Sequence, residues 1–350
     1  MQNKRFTRRA FMRSLGIVGL GAALTPAPVA AAVRMTDSRK LSDNRFEVCE
    51  TRFLMGTFVA ITALHESRDA AKEATARAFG EIERLSAIFD RHKGDTPVSV
   101  LNATGRLSDV APELRSVMEK AVIFNRRSGG AFDSTVLPLV EMLKGHADAD
   151  GRIDLSEKDM KDALGLVDTE AVRISDNGIR FDKQGMGVTL DGIGKGYIVD
   201  RASDVLAANG VVDHLVNAGG DIRARGERAP GKAWKIAIED PAGKGGYPSV
   251  IHLRDAAVAT SGGYEVYYDA NRTHHHVINP RTAHSPTQSV SVSVTAPTVM
   301  QADALSTSAF VMPPKDGVHF VDAQPGSDCL IVGKSGANVT TRRWSRLSRT

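Results

Sequence analysis

Two short stretches near the C-terminus carry residue types at a spacing that chemistry can use. Residues 273–280 read THHHVINP, and residues 300–307 read MQADALST. The second run continues through residue 312 without glycine or proline, which predicts a helix. On a helix, Asp303 and Thr307 are four residues apart and share one face. That face offers a carboxylate and a hydroxyl, both hard oxygen donors suited to Mg²⁺, an ion that takes few protein ligands and completes its shell with water and substrate phosphates. The same spacing also describes an ordinary solvated helix face.

In the first run, His276 has an unperturbed pKa suited to general-base work near neutral pH. The plain alternative is a structural hydrogen bond that fixes the Asn-Pro-Arg-Thr turn after it. Three consecutive histidines are a weak metal signal, because in an extended strand His274 and His276 face one way and His275 the other. Four glycine-rich segments accompany these runs: GGAFD at 129–133, DGIGKG at 191–196, NAGGD at 217–221 and TSGGY at 260–264. Glycine lets backbone N–H groups approach an anion with no Cβ in the way. The 192–196 run also opens a helix, whose dipole favours phosphate, and Lys195 adds a point charge there. Neither a Walker A loop nor a dinucleotide fingerprint is present. Each loop alone is an ordinary turn. Four of them beside a candidate Mg²⁺ helix point to a phosphate-bearing ligand.

The elements that must position these groups read as mixed α and β. Residues 46–64 alternate as one or two strands, interrupted at Met55-Gly56-Thr57. Residues 67–89 form an amphipathic helix with Ala71, Ala74, Ala78, Ile82, Leu85 and Phe89 on one stripe. Pro112 opens a second helix, which Gly129-Gly130 closes. Residues 148–165 read as a polar surface insertion with a short helix, and 172–182 as a hairpin turning at Asp176-Asn177-Gly178. A helix over 196–209 ends at Gly210. Strands follow at 214–217, 234–239, 250–253 and 290–295. This order, without βαβ repeats, predicts an α+β fold with a largely antiparallel sheet.

The N-terminus bears on location. Residues 1–16 hold Lys4, Arg5, Arg8, Arg9 and Arg13 and no acid. TRRAFMR at 7–13 fits a twin-arginine export signal, followed by a short apolar stretch at 15–24 and a plausible cleavage site at Ala30-Ala31-Ala32. A disordered basic tail is the alternative. The expectation is a signal over 1–32 and a periplasmic protein of 318 residues over 33–350. The whole chain is +4, and removing the five positive charges of residues 1–32 leaves −1. The high isoelectric point therefore gives no support for a nucleic-acid partner. No other stretch is long and apolar enough for stable membrane insertion. Cys49 and Cys329, the only cysteines, could pair in an oxidising compartment or remain isolated thiols.

Taken in order, the motifs carry a family resemblance. They are Met55-Gly56-Thr57, Gly130-Ala131-Phe132-Asp133 with Pro138, GIGKGYIVD at 192–200, and NAGGD at 217–221 with Trp234 and Asp240-Pro241. After them come ATSGGY at 259–264, HVINPRT at 276–282 and ADALST at 302–307. The set resembles the ApbE family, the FAD:protein FMN transferases, over roughly residues 51–312. The resemblance implies a T-fold-related α+β architecture of largely antiparallel sheets with packed helices and an FAD cleft between halves. It implies Mg²⁺-dependent transfer of FMN from FAD to a Thr or Ser hydroxyl of an extracytoplasmic acceptor, with release of AMP. The partner implied is a flavoprotein with an FMN-binding domain, of the NosR, RnfG or NqrC type.

Carried onto this sequence, Asp303 and Thr307 resemble the family's metal-ligand side chains, and the Gly192 carbonyl matches a third ligand. Met55, Ala131, Phe132 and Asp133 match flavin-contacting positions, and Lys195 matches an FAD contact. Phe89 stands near a position often held by Tyr and packs on adenine or flavin; Ile278 lines the same pocket. His276 matches the family's histidine before the Asn-Pro turn. Thr189 stands where many members have Asp, with Asp191 two residues later on the same strand face. Asn279 replaces a frequent Asp, and Ala283 stands where Gly often closes the turn. Two further readings compete: a Mg²⁺-dependent FAD pyrophosphatase giving FMN and AMP, and a non-catalytic flavin carrier or assembly factor of the NosX type.

Overall fold

The computed structural model describes residues 34–348 except 149 and 244–245. The expected export signal at residues 1–32 lies outside the described residues. The chain opens with strands β1 (Arg34–Lys40), β2 (Phe46–Leu54) and β3 (Thr57–His65). The alternating 46–64 stretch resolves into β2 and β3. Between them Met55 and Gly56 both take positive φ, 53° and 70°, the backbone of a tight primed hairpin turn. The predicted amphipathic helix is α1 (Arg68–Phe89). Ser67 caps it, its Oγ accepting from Ala70 N at 3.3 Å, and the predicted stripe is its buried face.

Next come α2 (Pro97–Thr104), β4 (Arg106–Leu107), α3 (Pro112–Arg127), α4 (Leu137–Gly145) and α5 (Glu157–Leu164). Helix α5 is the short helix of the polar 148–165 stretch. The hairpin forms as β5 (Val172–Ser175) and β6 (Gly178–Phe181), so Gly178 lies in a strand rather than in the turn. Helix α6 (Gly194–Ala208) starts two residues earlier than expected, which places Lys195 in its first turn. The remainder comprises β7 (Asp213–Ala218), β8 (Asp221–Arg225), β9 (Trp234–Ile238), β10 (Ser249–Leu253), β11 (Ala256–Gly262) and β12 (Ser289–Ala296), then α7 (Val299–Val311), α8 (Pro314–Asp322), β13 (Asp328–Gly333), β14 (Asn338–Thr340) and α9 (Trp344–Leu347).

Nine strands join in one sheet of order β1-β2-β3-β7-β8-β11-β12-β13-β14. Every neighbouring pair is antiparallel, as the mixed element order predicts. Helices α1, α6 and α7 supply the main core over one face, with Ile61, Phe79, Val199, Val294 and Leu305 fully or almost fully buried. The β9–β10 pair and Trp344 cover a second cluster that includes Ile222 and Leu330. Cys49 on β2 and Cys329 on β13 are both free. They stand six strand spacings apart, about 4.8 Å each, far beyond the reach of a disulfide. Among the described residues no helix is long and apolar enough to cross a membrane.

Candidate active site

At one end of the large sheet, two hairpin turns sit side by side. Gly219 N donates to Phe58 O at 3.3 Å, and a Cβ on Gly219 would stand 2.5 Å from Thr57 Oγ1. Only glycine allows that approach, and Gly219 also has φ of 63°. The β7–β8 turn delivers Asp221, 2 % exposed, at the start of β8.

The crossing of α6 and α7 meets this end of the sheet. At Gly196 a Cβ would lie 2.7 Å from both Met300 Cα and Val299 O, so the helices touch backbone to backbone. Gly196 N donates to Asp303 Oδ2 at 3.1 Å. One turn along α6, the two carboxylate oxygens of Asp200 accept from Val299 N and Met300 N at 2.9 Å each. Thr298 Oγ1 accepts from Gln301 N at 3.2 Å. Each helix thus takes the other's orphan N-terminal amides on a carboxylate. Burial pushes Asp200 up to about 6 despite those amides.

The charges here do not balance. Lys195 Nζ lies 3.2 Å from Asp221 Oδ2. Burial raises Asp221, against the pull of Lys195. Burial, then the charge of Asp221, raises Asp303 well above the usual carboxylate range. Lys195 is raised chiefly by Asp221, with Asp303 adding. Two buried carboxylates thus share one ammonium, an arrangement a divalent cation would relieve. Thr307, four residues beyond Asp303, faces Gly192: a Cβ on Gly192 would stand 3.0 Å from Thr307 Oγ1 and 3.3 Å from the Phe132 ring. The donors gathered here are hard oxygens, the set that Mg²⁺ prefers. Among the described residues no three His, Cys, Asp or Glu side chains cluster as a metal cage.

The 129–135 loop is tied to the 189–194 turn, because Thr189 N donates to Ser134 O at 2.8 Å. Ala131 and Phe132 are buried, and Phe132 meets Phe124 edge-on at 6.2 Å. The Asp133 carboxylate is engaged within the protein: Oδ1 accepts from Thr135 N, Thr135 Oγ1 and Thr169 Oγ1, and Oδ2 from Asn125 Nδ2. It braces the loop. Phe89, at the end of α1, packs against Tyr197 at 5.7 Å and behind Gly194. Met55 lies in the β2–β3 turn, partly buried against the main core.

Residues 189–191 are not the strand expected from the sequence; they lead into a turn. Thr189 is buried and its Oγ1 accepts from Asp191 N at 3.3 Å. The Asp191 side chain is 61 % exposed and pairs with Arg91 Nη2 at 3.1 Å. The surrounding protein displaces some water from this carboxylate and opposes its ionisation, but the Arg91 charge and the Thr189 hydroxyl outweigh that and lower the Asp191 pKa.

The histidine run is not a strand either; only Tyr267 and His275 form an isolated bridge. His275 is buried edge-on to Phe310 at 5.6 Å, and its Nε2 donates to Pro286 O at 3.0 Å. His276 N donates to Val266 O at 3.2 Å, while its buried Nδ1 has no hydrogen-bond partner. Burial lowers the His276 pKa and favours the neutral base. Ile278 belongs to a separate cluster with Leu137, Leu139 and Ala283, so the structure does not group it with the residues around Phe132. Ala283 has φ of 61°, the left-handed backbone that glycine would adopt without strain. Asp221, Asp200, Ser261 and Arg91 lack a signature strong enough to single them out, although the first three lie inside the ordered motifs.

A model of the ApbE family matches residues 55–331. The FAD:protein FMN transferase of Treponema pallidum is 28% identical over 311 residues, which is 82% of this chain and 84% of that protein. The crystal structure of the ApbE protein of Thermotoga maritima superposes with a TM-score of 0.80 at 28% identity, covering 87% of this chain and 100% of that one. The flavin transferase ApbE of Vibrio cholerae gives 0.75 at 26% identity, covering 87% and 99%.

Proposed function

Since the chain belongs to the ApbE family, we propose that it is an FAD:protein FMN transferase, moving FMN from FAD to a Thr or Ser hydroxyl of an acceptor protein and releasing AMP. The observation that carries this reading is the buried pair of carboxylates, Asp221 and Asp303, beside the single ammonium of Lys195 and set against Thr307. Asp303, Thr307 and the Gly192 carbonyl would hold Mg²⁺. Bound there, Mg²⁺ would offset charge on the phosphate oxygens and the departing AMP.

The chain's own residues position the reactants. Lys195, in the first turn of α6, aims a fixed positive charge and the helix dipole at the pyrophosphate. His276 takes the proton of the acceptor hydroxyl as its oxygen bonds to the FMN-side phosphorus and the bond to AMP breaks. Its lowered pKa keeps the imidazole neutral, and so able to accept, at pH 7. Phe132 and Ala131, on the loop tied to the 189–194 turn, border the flavin. The acceptor is a flavoprotein with an FMN-binding domain, met in the periplasm after twin-arginine export. The basic TRRAFMR motif supports that location.

Incubation of the protein with FAD, Mg²⁺ and a candidate acceptor domain tests the proposal. The acceptor should gain one FMN by mass spectrometry while AMP appears by chromatography, and Asp303→Ala should slow both steeply. Free FMN plus AMP with an unmodified acceptor would replace the transferase with a pyrophosphatase. Intact bound FAD across several verified acceptors would leave a carrier.

A further inference from the structure

Three hydroxyls beside Asp303 form a chain whose direction is set by its ends. Ser306 Oγ lies 2.9 Å from Asp303 O. A carbonyl only accepts, so the single Ser306 proton points there. Ser261 Oγ, at the end of β11, lies 2.8 Å from Ser306 Oγ. With the Ser306 proton committed, Ser261 must donate to Ser306. Ser261 Oγ also lies 3.2 Å from Thr307 Oγ1. With its own proton committed, Ser261 can only accept, so Thr307 donates to Ser261. The relay runs Thr307 to Ser261 to Ser306 to the Asp303 carbonyl. Its consequence is that the Thr307 proton turns away from Gly192 and Asp303, and both Thr307 lone pairs remain free.

We propose that Ser261 and Ser306 are positioning residues that fix the Thr307 hydroxyl as a pure acceptor toward a divalent cation. The proposal rests on the metal reading above. A free hydroxyl rotor would present its proton to the cation part of the time; the relay removes that orientation. Ser306 is fully buried and Ser261 partly so, and Ser306 Oγ and the Asp303 carbonyl stand on adjacent turns of one helix, so the far end cannot drift.

The test is Mn²⁺ titration of the purified chain, with and without FAD, with free Mn²⁺ read by electron paramagnetic resonance. Ser306→Ala releases the Ser261 proton to turn onto Thr307 Oγ1 and cover a lone pair. Affinity should fall by roughly tenfold or more, the range for partners that orient metal ligands. Ser261→Ala frees the Thr307 rotor and should cost less. Ser261→Thr keeps the hydroxyl and should restore the unaltered affinity. The decisive variant is Ser261→Ala with Ser306→Ala, which should bind no worse than Ser261→Ala alone, because Ser306 reaches Thr307 only through Ser261. Residues in contact rarely give additive losses, so the mark of the relay is recovery: a purely structural role would leave the double variant at least as weak as Ser306→Ala. Equal affinity in a folded Ser306→Ala protein, or a double variant no tighter than Ser306→Ala, overturns the relay while leaving the metal reading in place. No Mn²⁺ binding by the unaltered protein, with FAD present, overturns both.

Discussion

The crossing of α6 and α7 and the 264–284 segment contribute to the same candidate site in opposite ways. At the crossing, backbone meets backbone at Gly196, and Asp303 and Asp200 each take amides of the facing helix. The 264–284 segment has one isolated bridge, two non-glycine residues at positive φ, Arg272 and Ala283, and His274, His275 and His276 whose Nδ1 atoms lack hydrogen-bond partners. Under the proposed function, the difference gives phosphate and metal chemistry to a helix pair fixed by packing, and proton transfer to a loop. Substitutions at the crossing should therefore cost stability and metal affinity together. Those at His276 in the loop should cost rate alone.

The largest expected effect is at the crossing. Asp303→Ala should lower acceptor labelling by about 10³-fold, the scale for losing a principal stabiliser of transition-state charge, read as the initial rate of FMN incorporation. A loss below tenfold would remove Asp303 from the chemistry. Gly196→Ala comes next, since its Cβ would meet backbone at 2.7 Å. Overpacking there should cost about 3 kcal/mol, measured by urea unfolding; an unchanged midpoint would mean the helices can separate freely.

His276→Asn sharpens the contrast from the other side. It should lower the rate about 10²-fold while leaving Mn²⁺ affinity and the unfolding midpoint unchanged. In the unaltered enzyme the sign of the pH dependence follows from burial. A His pKa lowered from 6.5 keeps the base present at pH 7 and loses it only as pH falls through the depressed value. An acid limb of kcat/KM centred above 6.5 would exclude His276 as that base. The smallest effect is a gain. Ala283→Gly relieves the left-handed backbone at φ 61°, less the greater freedom of glycine when unfolded, and should stabilise by about 1 kcal/mol or less. A loss of stability would show that the Ala283 methyl, buried with Ile278, outweighs the strain.

Much of the fold was legible because its signals are local. The 67–89 stripe, the Pro112 start and the 172–182 hairpin all appear where periodicity and turn residues place them. Strands β11 and β13 were not, because their buried residues run consecutively rather than alternating, as in Asp328–Gly333. The displaced acid was misplaced for a similar reason. Thr189 and Asp191 share a face only if extended, and the backbone instead turns there to enter α6.

By itself the sequence determined the helix that carries Asp303 and Thr307, since a four-residue spacing becomes a shared face through helix geometry alone. It also determined the ordered glycine motifs, and through them the family. Only the tertiary structure decided which groups those residues meet. Lys195 reaches Asp221 from another element, Asp200 caps a helix 99 residues away, and Ser261 finds Thr307 across 46 residues. Local spacing specifies which face a side chain occupies. The partner on the other side is set by which buried surfaces pack together, and no short-range pattern encodes that.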